Sequence, residues 1–105
     1  MKGQTKIELN GKDIALKFTL GVIEDLQEWA KKNNIEDPDT NPQGQRIMFA
    51  LMELYGSDGW DCDDIIEKAE KESRKYKALG IDQIQKMMDM VDQASSGLGK
   101  GKGKQ

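Results

Sequence analysis

Carboxylates are the side chains of this sequence whose number and spacing could do chemistry. The chain contains no histidine and one cysteine. The commonest general base and transition-metal ligand is therefore missing, and a thiolate zinc site is excluded by count. What remains is oxygen ligation of hard cations. Asp37-x-Asp39-x-Asn41 matches the first three ligand positions of a calcium loop. The match stops there: Pro42 stands where the loop needs glycine for its sharp turn, and Met48 stands where a bidentate glutamate belongs. A second cluster, Asp58, Asp61, Asp63 and Asp64, lacks the spacing and reads as a loop leading into a helix start, where exposed N–H groups stabilise acids. Glu24, Asp25 and Glu53 have no second group to position or activate them. Cys62 sits among Asp61, Asp63 and Asp64, whose charge opposes a thiolate, so it is expected as a small, partly buried hydrophobe. No catalytic residue, metal or cofactor is expected, and the chain reads as non-enzymatic.

Binding offers more than catalysis. Met48, Met52, Met87, Met88 and Met90 fall on two segments that both read as central helices. Unbranched thioether side chains repack against varied partners. These five are therefore either plain core filling or the wall of a groove that accepts an apolar segment of another protein. A formal charge of −3 and a pI near 5.0 argue against a domain built to hold phosphate backbones. The glycines of the stretch 97–105 precede no helix, so they form no phosphate loop, and the lysines between them make only a basic, solubilising end.

The elements that must position these residues follow from local pattern. Thr5-Lys6-Ile7-Glu8-Leu9 alternates polar and apolar and meets Asn10-Gly11, the dipeptide suited to a type I′ turn. A two-residue turn there sets Leu9 opposite Lys12, Ile7 opposite Ile14 and Thr5 opposite Leu16, with Ile7, Leu9, Ile14, Leu16 and Phe18 on one face. A hairpin alone is marginal in water, so that face must cover helices or its edge must pair. Thr19 is placed to cap a first helix, with Leu20, Ile23, Leu26 and Ala30 at helical spacing, ending near Lys32 at Asn33-Asn34. Trp29 is either core or a partly exposed contact.

Asn41-Pro42 supplies a cap and a first-turn proline for a second helix that ends at Gly56. Its stretch Ile47–Met52 is apolar on every side, the mark of a central helix or of one that presents a face to a partner. Asp61 is expected to cap a third helix burying Ile65, Ile66, Ala69 and Tyr76. Gly80 interrupts, and Asp82 starts a fourth with Ile84, Met87, Met88, Val91 and Ala94 on one face. The expected fold class is α+β: an N-terminal two-stranded antiparallel hairpin, a small bundle of about four helices, and a disordered tail. Residues 1–96 form one domain and residues 97–105 a flexible Gly/Lys tail.

A chain of 105 residues with 36% hydrophobic content supports one modest core. It holds no run near the roughly 20 apolar residues of a membrane span. Met1-Lys2-Gly3-Gln4 leads into a polar segment without a secretory pattern, so the expected location is the cytoplasm.

The order of features carries a family resemblance. A hairpin around Asn10-Gly11-Lys12 exits through Leu16-Lys17-Phe18-Thr19-Leu20-Gly21 into an acidic first helix with Glu24-Asp25-Leu26, followed by short helices and the Gly/Lys end. Over residues 4–96 this arrangement resembles the tail assembly chaperones encoded just before the tape measure gene of long-tailed, siphovirus-like bacteriophages and prophages. The resemblance implies a viral protein of the bacterial host cytoplasm that coats the long, apolar, helical tape measure protein, keeps it soluble and helps recruit tail tube subunits. Self-association belongs to the same expectation, whereas a small-molecule substrate, a specific nucleic acid and a membrane do not. In that family the gene often ends near a programmed −1 frameshift, and the Gly-Lys pairs from Gly99 to Lys104 are compatible with such a site. The competing readings are a structural or connector protein of a phage particle, joined by strand addition at the hairpin edge, and a small protein-binding adaptor.

Overall fold

A computed structural model describes residues 4–103, with side chains from 4 to 95. Strand β1, Gln4–Leu9, turns at Asn10 and Gly11, both at positive φ (54° and 80°), into β2, Lys12–Lys17. The register pairs Leu9 with Lys12, Ile7 with Ile14 and Thr5 with Leu16, as the turn dictates. Because side chains alternate, Ile7, Leu9 and Leu16 are buried on one face and Ile14 packs beside them, while Gln4, Lys6, Glu8, Asp13, Ala15 and Lys17 face water.

Helix α1, Leu20–Lys32, starts where the Thr19 hydroxyl accepts the Val22 N–H at 3.3 Å. It stops at Asn33, with Asn34 at φ 58° turning the chain away. Trp29 is core, with none of its surface exposed, and its indole Nε1 has no hydrogen-bond partner. Helix α2, Pro42–Gly56, is capped by the Asn41 side chain, which accepts the Gly44 N–H at 3.0 Å. All six residues from Ile47 to Met52 are buried, because the hairpin, α1 and the segment after α2 surround this helix. Its all-round apolar pattern marks the centre of the molecule.

Two details of the third helical region differ from the sequence expectation. Helix α3, Ile65–Ser73, is capped by Asp64 rather than Asp61: Asp64 Oδ1 accepts the Glu67 N–H at 3.0 Å. A cap must directly precede the first helical residue to reach that donor, and a Trp60–Cys62 turn, with the Cys62 N–H bonded to the Trp60 carbonyl at 2.9 Å, leaves Asp61 in solvent. Tyr76 is buried as expected, but from a 3-10 helix, Arg74–Ala78, that continues α3 with a tighter winding. Cys62 is exposed rather than partly buried, since the loop that carries it lies outside the core.

Helix α4, Ile81–Gly103, begins one residue before the expected start and buries Met87, Val91 and Ala94. It packs against the rest of the fold through these side chains, with Ile84, Met88 and Met90 partly buried beside them. The fold is thus α+β, a hairpin followed by four helices. No helix among the described residues is long and apolar enough to cross a membrane. The expected flexible Gly/Lys tail, residues 97–105, falls outside the residues whose side chains are described.

Candidate apolar groove with an acidic rim

Between α1, the loop 33–41 and α4 runs an open groove of about 470 Å³. Its floor is apolar: Phe18, Ile23 and Leu26 on one side, Met48 beneath, and Met88 and Val91 on the other. Phe18, Ile23 and Met88 are half-buried, so apolar surface stays within reach of a partner. The rim is acidic, with Glu36, Asp37 and Asp39 from the loop and Asp92 from α4, and among the described residues no lysine or arginine lines it.

The loop that supplies most of this charge is held in place. Ile35 N–H donates to the Ala30 carbonyl at 2.8 Å, bringing the chain back against the end of α1. The Asp37 carbonyl accepts both the N–H and the hydroxyl of Thr40 at 3.2 Å, and Gln45 Nε2 donates to the Asp39 carbonyl at 3.0 Å. The Pro38 carbonyl lies where a Cβ on Gly44 would stand, so the first turn of α2 accepts the loop only because residue 44 has no side chain. The rim therefore costs little further ordering when a partner binds. Asp37 and Asp39 serve it through their free carboxylates. Among the described residues, no three carboxylate or thiol side chains converge as a cation cage would need.

The five methionines separate. Met48 and Met88 are brought together in the groove. Met52 and Met87, at 0% and 1% exposure, lie in the core, and Met48 itself is only 2% exposed. Met90 is half-buried against the core and does not line the groove. In this conformation the accessible contact surface is therefore built more from Phe18, Ile23 and Met88 than from the methionines as a set. Periodicity alone could not assign Phe18 and Ile23 to the groove, because both carry the same apolar pattern as the core residues beside them.

A cleft of similar size, about 460 Å³, lies beside the hairpin turn, with Lys12, Asp13, Glu53 and Lys75 among its lining residues. One of its two carboxylates, Glu53, accepts from Lys75 Nζ at 2.7 Å and from the Tyr76 hydroxyl at 2.8 Å. Burial pulls the Lys75 ammonium down, but its hydrogen bonds to Glu53 and Glu72 outweigh that, and the net direction is up. Tyr76 is pushed well above the usual phenol range by burial, then by the charge of Glu53 and the hydrogen bond to it. This cluster ties α2 to the 3-10 helix. The chain matches no protein-family model, no curated protein and no solved structure.

Proposed function

We propose that this chain is a non-enzymatic tail assembly chaperone of a long-tailed phage or prophage, working in the bacterial cytoplasm to hold the tape measure protein soluble while the tail is built. The observation that carries the reading is the groove with an apolar floor and a pre-ordered acidic rim. A helix laid in such a groove buries one apolar stripe, read as anchors at i, i+3, i+4 and i+7. Met88 supplies an adaptable contact there, with Met48 enclosed in the floor, Met52 and Met87 in the core and Met90 at the side. The rim carboxylates keep the outer surface of the complex charged and hydrated. Affinity per copy need only be modest, because copies arrayed along one rod add their contacts.

The test is coexpression with the protein encoded immediately downstream, followed by pull-down and sizing. The expected result is a long helical neighbour that is soluble only in this chain's presence. The double reversal Asp37→Lys with Asp39→Lys leaves the fold intact and weakens retention several-fold, since each exposed pair is worth about 0–1 kcal/mol. A neighbour that neither binds nor gains solubility overturns the reading. The connector alternative requires a free strand edge, and on β1 one outward group, the Glu8 carbonyl, is taken by Gln83 Nε2 from α4 at 3.0 Å. Copurification with finished tails would favour that alternative.

A further inference from the structure

Away from the groove, the two tryptophans have opposite fates. Trp29 has no exposed surface, whereas Trp60, in the loop between α2 and α3, exposes 45% of its own. A large apolar side chain gains about 1.5–3 kcal/mol from full burial, so an indole held in water is a departure from what packing alone favours.

Trp60 is held, not loose. Its ring lies parallel to that of Tyr55, with 0° between the planes and 5.7 Å between centroids. The Tyr55 hydroxyl donates to Asp25 Oδ2 at 2.7 Å, which fixes the far end of that ring to α1. The Tyr55 ring also fills the space where a Cβ on Gly21 would stand, so α1 admits it only at a residue without a side chain. Burial, then the hydrogen bond to Asp25 and the charges of Asp25 and Glu24, push the Tyr55 phenol well above its usual range, so it remains a neutral donor at all physiological pH. Two helices and a loop thus orient one indole. Tyr55 lies parallel to part of the indole, and 45% of the Trp60 surface stays in solvent.

The surroundings are negative. Asp58 and Asp61 flank Trp60 in the chain, Asp63 and Asp64 complete the loop, and Glu24 and Asp25 act on Tyr55 from α1. Lys68 is a cation beside this loop, with its Nζ 3.7 Å from where a Cβ on Gly59 would lie. A purely apolar partner would strip water from those carboxylates without pairing them, and an acidic one would be repelled. A cation is attracted by the ring face and by the carboxylates together. Arginine suits both because its guanidinium stacks flat on an indole and forks to a carboxylate.

We propose that the Tyr55–Trp60 stack is a second protein-contact site, separate from the groove, which receives an arginine side chain of a partner protein on the exposed surface of the Trp60 indole.

The test uses the full chain labelled with ¹⁵N and the indole N–H resonances of its two tryptophans, identified by Trp60→Ala. N-acetyl-arginine N-methylamide is titrated against its neutral isostere, the citrulline analogue. The expected result is a saturable shift of the Trp60 indole with Trp29 unmoved. Binding of the citrulline compound should be roughly two- to five-fold weaker, the ratio equivalent to a cation–π contribution of about 0.5–1 kcal/mol at an exposed site. Tyr55→Phe, which frees the stack from Asp25, should weaken the arginine response, and added salt should weaken it further. Met88→Glu in the groove should leave it unchanged, so failure here and failure of the groove reading are told apart. Equal shifts with both compounds, an unmoved Trp60 resonance, or a Trp60 shift that follows protein concentration alone each overturn the proposal.

Discussion

The molecule contains the same three-part unit twice: a tyrosine, an aromatic neighbour and a carboxylate that accepts the phenol. In the first, Tyr76 packs on Phe49 with ring centroids 5.9 Å apart and planes tilted by 56°, and its hydroxyl donates to Glu53 at 2.8 Å. In the second, Tyr55 stacks flat on Trp60 and donates to Asp25. Both phenols are pushed upward by burial and by their carboxylates. The units differ in what closes over them. Phe49 and Tyr76 are almost completely enclosed where the 3-10 helix seals the core, whereas Trp60 is left facing solvent. Identical chemistry therefore supplies stability in one place and a presented surface in the other. Burial, not residue type, decides which.

The sharpest way to break this comparison is to truncate the aromatic partner in each unit. Phe49→Ala opens a cavity in a core with no slack and should cost about 3–5 kcal/mol of unfolding free energy. Trp60→Ala should cost less than about 1 kcal/mol, because it removes area that is already half in water. Urea midpoints for the two variants measure the difference, and equal losses would show that the exposed stack is structural after all. Removing the hydroxyls gives a finer test. Tyr76→Phe loses a hydrogen bond to a largely buried carboxylate and should cost about 1–2 kcal/mol, while Tyr55→Phe should cost about half as much, read from the same curves.

The smallest expected effect is a pH dependence. Tyr55, Tyr76 and Lys75 all hold their protons more tightly folded than unfolded. Above pH about 10, where unfolded tyrosine and lysine begin to lose protons, the folded chain binds more of them than the unfolded one. Stability from these groups is therefore fully present below that pH and is lost as pH rises through the folded values. Urea midpoints should fall from pH 9 to pH 11, while tyrosine absorbance at 295 nm shows ionisation delayed relative to the denatured chain. The Tyr76→Phe variant should lose a larger share of this slope than Tyr55→Phe, since Tyr76 is the more deeply buried phenol.

Much of the fold was legible because it rests on short-range rules. Asn10-Gly11 admits one hairpin register, and that register decides which side chains of both strands face inward. Thr19 and Asn41-Pro42 place two helix starts to the residue, since a cap acts on donors only two or three residues away. Where two acids competed for one cap, local pattern was insufficient: Asp61 and Asp64 are equivalent in type, and a turn formed by Trp60 and Cys62 chose between them.

The candidate sites were less legible, because each gathers residues from distant parts of the chain. Asp37 and Asp39 were visible as a failed calcium pattern, but their place on the rim depends on a loop whose close approach to the next helix requires a glycine at position 44. Trp60 carried no periodic signal, and its stack on Tyr55 requires Gly21 and Asp25 of α1 to lie against the end of α2. The sequence by itself determined the hairpin, the central apolar helix, the limits of α1 and α2 and the acidic character of the surface, because turn chemistry, helix period and capping act within a few residues. Only the tertiary structure decided which methionines are enclosed, where the apolar groove opens and which tryptophan is shown to solvent, because burial is a property of what packs around a residue and not of the residue itself.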